Sequence, residues 1–154
     1  MIRLLFLFFL PSLCSADLIE GIVTKVYDGD TVTLSTGDKI RLAGIDAPEI
    51  KQPFGIESRD ALRSAILNKS VTVSWSKFDR YKRKVGKIYF RRVDQNWRQV
   101  QNGFAWHYVK YAAEQSQGDQ ERYANEESKA RAGRVGLWCC DPVAPWDWRK
   151  RRSD

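Results

Sequence analysis

The chain has 154 residues and a net charge of +7, with 43% hydrophobic, 29% charged and 12% aromatic residues. This length suits one domain with a buried core, and the composition is too apolar and aromatic for a disordered chain. Ten glycines and five prolines without a period exclude collagen and low-complexity linkers, and no apolar run nears the roughly 20 residues that span a bilayer, which excludes a polytopic membrane protein.

Residues 1–16 read as a secretory signal peptide. Arg3 supplies the positive start, Leu4 to Leu10 is unbroken apolar sequence, Pro11 ends it, and Cys14-Ser15-Ala16 supplies small residues for cleavage. A secreted or periplasmic location is therefore expected, with residues 17–154 as the folded domain. Leu18 to Tyr27, rich in Ile, Val, Thr and Tyr, predicts a first strand. Asp28-Gly29 marks a turn or bulge. Thr31 to Leu34 is a second strand, Ser35 to Asp38 a turn, and Lys39 to Ile45 a third strand stopped by Pro48. Between Gly55 and Leu67 the period changes, with Ala61, Leu62, Ala65 and Ile66 at helical spacing. Val71 to Trp75 and Gly86 to Val93 are the fourth and fifth strands. Helices are expected over Asn96 to Tyr108, with Gly103 as a point of interruption, and over Gln120 to Arg131. The tail from Asp141 holds two prolines, Trp146, Trp148 and the basic run Arg149 to Arg152. Five short strands and about three helices, one of them between strands three and four, give an α+β chain of the OB-fold barrel type.

With the leader removed, Cys139 and Cys140 remain, adjacent in sequence. A bridge between them, a bond between two chains and two free thiols are all open to them. A monomer is expected, with a disulfide-linked dimer through Cys139 or Cys140 as the alternative. The single histidine, His107, cannot complete a Cys-Cys metal site, so no zinc is expected. Without a nucleophile or metal pattern beside it, His107 reads as structural.

Acidic residues gather at two places in the first half. Asp28 and Asp30 flank Gly29, and Asp46 and Glu49 flank Ala47-Pro48, with Arg41 between the two clusters. A hairpin turning at Thr36-Gly37 puts Arg41 opposite Val32 and one diagonal step from Asp30, while Asp46 lies near the start of the second strand. Carboxylates gathered this way repel one another unless protons or a cation relieve them, and their hard oxygens suit Ca²⁺, Mg²⁺ or Mn²⁺. Pro48 restricts Ala47 to extended angles, which can aim its carbonyl as a further ligand. A second stretch, Asp79-Arg80-Tyr81-Lys82-Arg83-Lys84, joins strands four and five and interleaves an aromatic ring with arginines, a pattern that suits a phosphate and a stacked base.

Val26-Tyr27-Asp28-Gly29-Asp30-Thr31, then Arg41-Leu42-Ala43-Gly44-Ile45-Asp46-Ala47-Pro48-Glu49, then Asp79-Arg80-Tyr81-Lys82-Arg83, then Gly136-Leu137-Trp138 stand in an order and spacing that resemble the staphylococcal nuclease-like (thermonuclease) family. The resemblance covers about residues 18–148. It implies a Ca²⁺-dependent, sugar-nonspecific phosphodiesterase that acts on DNA and RNA and cleaves P–O5′ bonds to leave 3′-phosphate ends. Carried over by residue, Asp30, Asp46 and the Ala47 carbonyl resemble the calcium ligands. Glu49 matches the proposed general base, Arg41 and Arg83 the arginines that grip the reacting phosphate, Arg80 and Tyr81 the contacts to the terminal phosphate or nucleotide, and Tyr111 a base-stacking tyrosine. Asp28 is expected to orient ligands or waters.

Two departures stand out. Lys82 occupies a position where the family usually has Gly, and Ala47 replaces a Thr found in some members. The tail tryptophans read as packing residues, and the Arg149 to Arg152 run as a solvated tail or a nonspecific phosphate contact. A noncatalytic OB-fold that binds nucleic acid or protein is the competing reading. Three carboxylates beside a phosphate groove speak against it, because they repel the ligand of a pure binder.

Overall fold

A computed structural model describes residues 16–151, so the leader up to residue 15 and the last three positions of the tail lie outside the described residues. Five strands close a barrel: β1 (Asp17–Val26), β2 (Thr31–Leu34), β3 (Lys39–Leu42), β5 (Ser70–Phe78) and β6 (Lys84–Phe90). They run in the order β3-β2-β1-β5-β6 with antiparallel neighbours, and a parallel pairing of β3 with β6 (Ile40 opposite Lys84, Leu42 opposite Gly86) completes the circuit. The α+β barrel of OB type expected from the strand pattern is the architecture observed.

Alternation along the strands fills the interior. Val23, Val32, Leu34, Ile40, Leu42, Val73 and Ile88 are all buried in one apolar cluster. Helix α1 (Gly55–Ile66) buries Gly55, Ser58, Leu62 and Ile66, a stripe at three- and four-residue spacing that packs against the barrel. Each fully buried Leu or Ile side chain contributes about 1.5–3 kcal/mol, so this cluster is the main source of stability.

The expected third strand is divided. β3 ends at Leu42, the chain turns at Ala43-Gly44, and a two-residue strand β4 (Ile45–Asp46) follows. The helix expected over Asn96 to Tyr108 is shorter than its pattern suggested. β7 (Val93–Asp94) precedes α2 (Gln95–Gln101), and Gly103, at a left-handed φ of +66°, turns the chain out of the helix. Trp106–His107 then form β8, which pairs antiparallel with β4, Ile45 opposite His107 and Asp46 opposite Trp106. Here a tertiary pairing overrides the helical reading. Helix α3 (Gln117–Ala132) begins earlier than expected because the Ser116 hydroxyl accepts the Asp119 N–H as an N-cap. The tail forms a fourth helix, α4 (Pro145–Arg151), where no element was expected.

One buried polar link ties three elements together. Asp94 caps α2 by accepting the Trp97 N–H, and its other oxygen accepts the Tyr123 hydroxyl of α3 at 2.8 Å. Tyr123 is fully buried, and burial first, then the charge of Asp94, pushes its phenol above the ordinary range. Tyr123→Phe is expected to destabilise the fold by about 1–3 kcal/mol, because a buried carboxylate loses a donor. Urea denaturation measures this, and an unchanged midpoint would contradict it.

Candidate active site

Hairpin geometry brings the first carboxylate to its arginine. Gly37, at φ +86°, and the bonds Gly37 N–H to Leu34 O and Leu34 N–H to Asp38 O make a three-residue loop between β2 and β3. An odd loop moves the register by one residue from the simple pairing: Arg41 stands opposite Thr31, and Val32 opposite Ile40. Arg41 touches Asp30, the residue just before its cross-strand partner, with Nε 3.3 Å from Asp30 Oδ1. Its Nη2 lies 3.1 Å from Asp46 Oδ1, and its Nη1 donates to the Leu42 carbonyl at 2.6 Å.

The two acidic clusters are joined by backbone as well as by charge. The Ala47 N–H donates to Asp30 Oδ2 at 2.7 Å, and the Thr31 hydroxyl donates to Asp30 Oδ1 at 3.0 Å. Asp28 accepts the Asp30 N–H at 3.0 Å and so holds the turn. Asp30, Asp46 and Ala47 are buried, whereas the Glu49 side chain stands at the rim with 38% of its surface exposed. Burial first, and the charge of Asp30 second, push the Asp28 carboxyl up to about 7. Burial also raises Asp46, against hydrogen bonds from Arg149 that pull it down.

The loop between β5 and β6 supplies the second guanidinium. Asp79 organises it: one oxygen accepts the N–H groups of Tyr81 and Arg83, and the other accepts Arg83 Nε at 2.7 Å. Burial opposes the charge of Asp79, but these bonds prevail and hold its carboxyl below the usual range. Lys82 adopts φ +60°, the left-handed conformation that glycine accepts without cost. The turn still closes, with the Lys82 N–H on the Asp79 carbonyl and the Asp79 N–H on the Arg83 carbonyl. Arg83 reaches the site through Nη1, 3.3 Å from the Thr31 hydroxyl. Its guanidinium and that of Arg80 also lie against the ring of Tyr81, 5.3 and 4.8 Å from the centroid.

All ten residues singled out from the sequence line one cleft of about 740 Å³. Asp28, Asp30, Arg41, Asp46, Ala47 and Glu49 form one wall, and Arg80, Tyr81, Arg83 and Tyr111 belong to segments that border the same space. Tyr81 and Tyr111 are exposed at the cleft. Sequence reasoning missed Arg149. Its Nη2 lies 2.7 Å from Asp46 Oδ2, and its Nη1 2.9 Å from Glu49 Oε1. Burial disfavours the Arg149 charge, but the bonds to Asp46 and Glu49 outweigh it and hold the guanidinium above its ordinary pKa. The basic run at 149–152 was visible, yet nothing in it pointed to a carboxylate 103 positions away.

Among the described residues, no three of His, Cys, Asp and Glu form a complete metal cage. Asp30 and Asp46 nevertheless present buried, all-oxygen donors that draw two guanidinium groups, and this donor chemistry fits a hard divalent cation completed by carbonyl and solvent oxygens. His107 is buried, its ring bonded to Gln115 and its N–H donating to Glu127, a structural setting. Cys139 and Cys140 are bonded to each other within the chain, the first of the three states open to them. No helix among the described residues is long and apolar enough to cross a membrane.

The profile of the family described as Staphylococcal nuclease homologue matches residues 39–140. An Escherichia coli O157:H7 protein named as an uncharacterized endonuclease is 40% identical over 153 residues, covering 96% of this chain and 95% of its own. A Haemophilus influenzae protein of the same name is 35% identical, with 97% and 84% covered. The Arabidopsis thaliana staphylococcal-like nuclease CAN1 is 40% identical over 115 residues, 74% of this chain and 34% of the plant protein.

Lys82→Gly is expected to stabilise the protein by roughly 0.5 kcal/mol, the left-handed strain relieved less the added entropy of the unfolded chain. Thermal melting of the two proteins measures it, and a lower melting point in the glycine variant would contradict the strain assignment.

Proposed function

Because this chain belongs to the staphylococcal nuclease homologue family, we propose that it is a Ca²⁺-dependent nuclease that hydrolyses DNA and RNA without base preference and leaves 3′-phosphate ends. The observation that carries this reading is the convergence of Asp30, Asp46 and Glu49 with Arg41 and Arg83 on one cleft. Asp30, Asp46 and the Ala47 carbonyl are the residues that would hold the cation, and bound there it would supply positive charge against the reacting phosphate.

The protein's own groups account for the rest of the chemistry. Water attacks phosphorus in line and the Glu49 carboxylate takes its proton. The P–O5′ bond breaks, and the departing 5′ oxygen takes a proton from solvent to leave as the 5′-hydroxyl, while Glu49 returns its own proton to solvent. Glu49 suits this work because its rim position leaves it in reach of solvent. Negative charge grows on the nonbridging oxygens as the bond breaks, and preorganised guanidinium groups stabilise it. Arg41 is preorganised by Asp30, Asp46 and the Leu42 carbonyl, and Arg83 by Asp79 and Thr31. Each keeps further N–H groups for a phosphate, since a guanidinium carries five. Asp28 orients the turn that presents Asp30.

Substrate breadth follows from the same surfaces. The exposed rings of Tyr81 and Tyr111 offer stacking, which every base accepts. The net charge of +7 favours any polyanion. The reading of residues 1–16 as a leader supports a location outside the cytoplasm, where weak calcium sites of roughly 10⁻⁴–10⁻³ M are adequate.

Purified residues 17–154 are expected to degrade single-stranded DNA and RNA in calcium, to stop in EGTA, and to leave 3′-phosphate termini. Digestion that persists in the chelator would reject the calcium assignment, and 5′-phosphate products would reject the bond assignment. Glu49→Gln and Arg41→Ala are each expected to lower kcat by about 10²–10⁴-fold while the circular dichroism spectrum is retained. Wild-type turnover in either variant would remove that residue from the mechanism.

A further inference from the structure

Helix α4 carries a charged residue into the carboxylate cluster, and it does so from a docked position. The ring of Trp146 stacks on Tyr108, 5.3 Å between centroids and 9° from parallel, and meets Trp106 edge-on at 6.4 Å. Pro145 is buried, and Gln52 Nε2 donates to the Val143 carbonyl at 2.6 Å just before the helix. These contacts fix the helix one turn from Arg149. The Arg149 guanidinium then grips Asp46 from both nitrogens, 2.7 Å to Oδ2 and 3.3 Å to Oδ1, and reaches Glu49 Oε1 at 2.9 Å. Arg41 is the other guanidinium on Asp46, and it is tied to the barrel. Arg149 has 42% of its side chain exposed, which leaves its head group a path toward solvent.

We propose that Arg149 is a positioning residue of the metal site that occupies, as an internal cation, the Asp46 and Glu49 oxygens a divalent ion requires, so that calcium binds only as Arg149 withdraws. The inference rests on the calcium reading given above. Its physical basis is charge and space together. Asp46 has two oxygens, and the two arginines engage both. A hard cation on Asp46 therefore faces a guanidinium on the same carboxylate, at a separation where like charges in a half-buried setting repel strongly. Withdrawal costs the bonds to Asp46 and Glu49 but leaves the Trp146 stack intact, so α4 stays docked while its arginine turns outward. Calcium affinity is then set partly by a residue that does not ligate the ion.

Calorimetric titration of Ca²⁺ into the full mature chain, without nucleic acid, tests this. Arg149→Gln is expected to bind calcium about tenfold more tightly than the wild type and to show a larger rise in melting temperature on adding calcium. Lys150→Gln removes the same charge from the next position, whose ammonium pairs with Asp147, and is expected to change affinity less than twofold. The melting curve reports that each variant is folded, and Arg149→Lys, which keeps the charge but loses the two-pronged grip, is expected to tighten binding about threefold. Equal or weaker calcium binding in Arg149→Gln, with calcium bound by both proteins, overturns this inference alone. An equal gain in Lys150→Gln also overturns it, because bulk charge would then explain the effect. Absence of calcium binding in every variant overturns both this inference and the calcium reading beneath it.

Discussion

The arrangement depends on keeping two buried aspartates close together. Asp30 stands in the turn just before β2 and Asp46 ends β4, both are sequestered from solvent, and their like charges oppose bringing the two segments together. Arg41 resolves the conflict by touching one carboxylate with Nε and the other with Nη2. The cost of burying these charges is met by pairing and by hydrogen bonds from the Ala47 N–H and the Thr31 hydroxyl. Remove the central guanidinium and Asp30 loses its ion pair with Arg41, while Asp46 keeps Arg149. The same residue thus supports the fold and lines the cleft, and separating those duties requires measuring stability and turnover side by side.

Rigidity in the cleft comes from short-range devices rather than from the large apolar core. The three-residue loop at Gly37 sets which β3 residue faces Thr31. Asp79 gathers the N–H groups of a turn that includes Lys82 in an unfavourable backbone conformation. That strain is local, and the bonds to Asp79 hold it, so Arg83 keeps its place although glycine is absent. Electrostatics and turn geometry, not hydrophobic burial, decide where the charged atoms end up.

How far the sequence could be read depended on the range of the interactions. Asp30, Arg41, Asp46 and Glu49 lie within twenty positions, so a hairpin pairing suggested that Arg41 meets Asp30 near Asp46, and the resemblance added Glu49. The register was off by one because a φ-positive glycine turns an even loop into an odd one. The helix expected to Tyr108 failed for a different reason. A two-residue strand such as Trp106–His107 has no period to detect, and its pairing with Ile45–Asp46 depends on a distant segment. Arg149 was the least legible. Its partner is set by the docking of Trp146 on Tyr108, and a basic run in a tail carries no mark of that contact.

The parallel pairing of β3 with β6 closes the barrel between Ile40 and Lys84, segments far apart along the chain. Loop-closure entropy must be spent for that ladder to form, so it cannot be held by local contacts alone. Until it forms, the turn carrying Arg83 has no fixed relation to the hairpin carrying Asp30 and Arg41. The candidate site therefore exists only in the closed barrel, and a partly folded or stretched polypeptide holds its residues without their geometry.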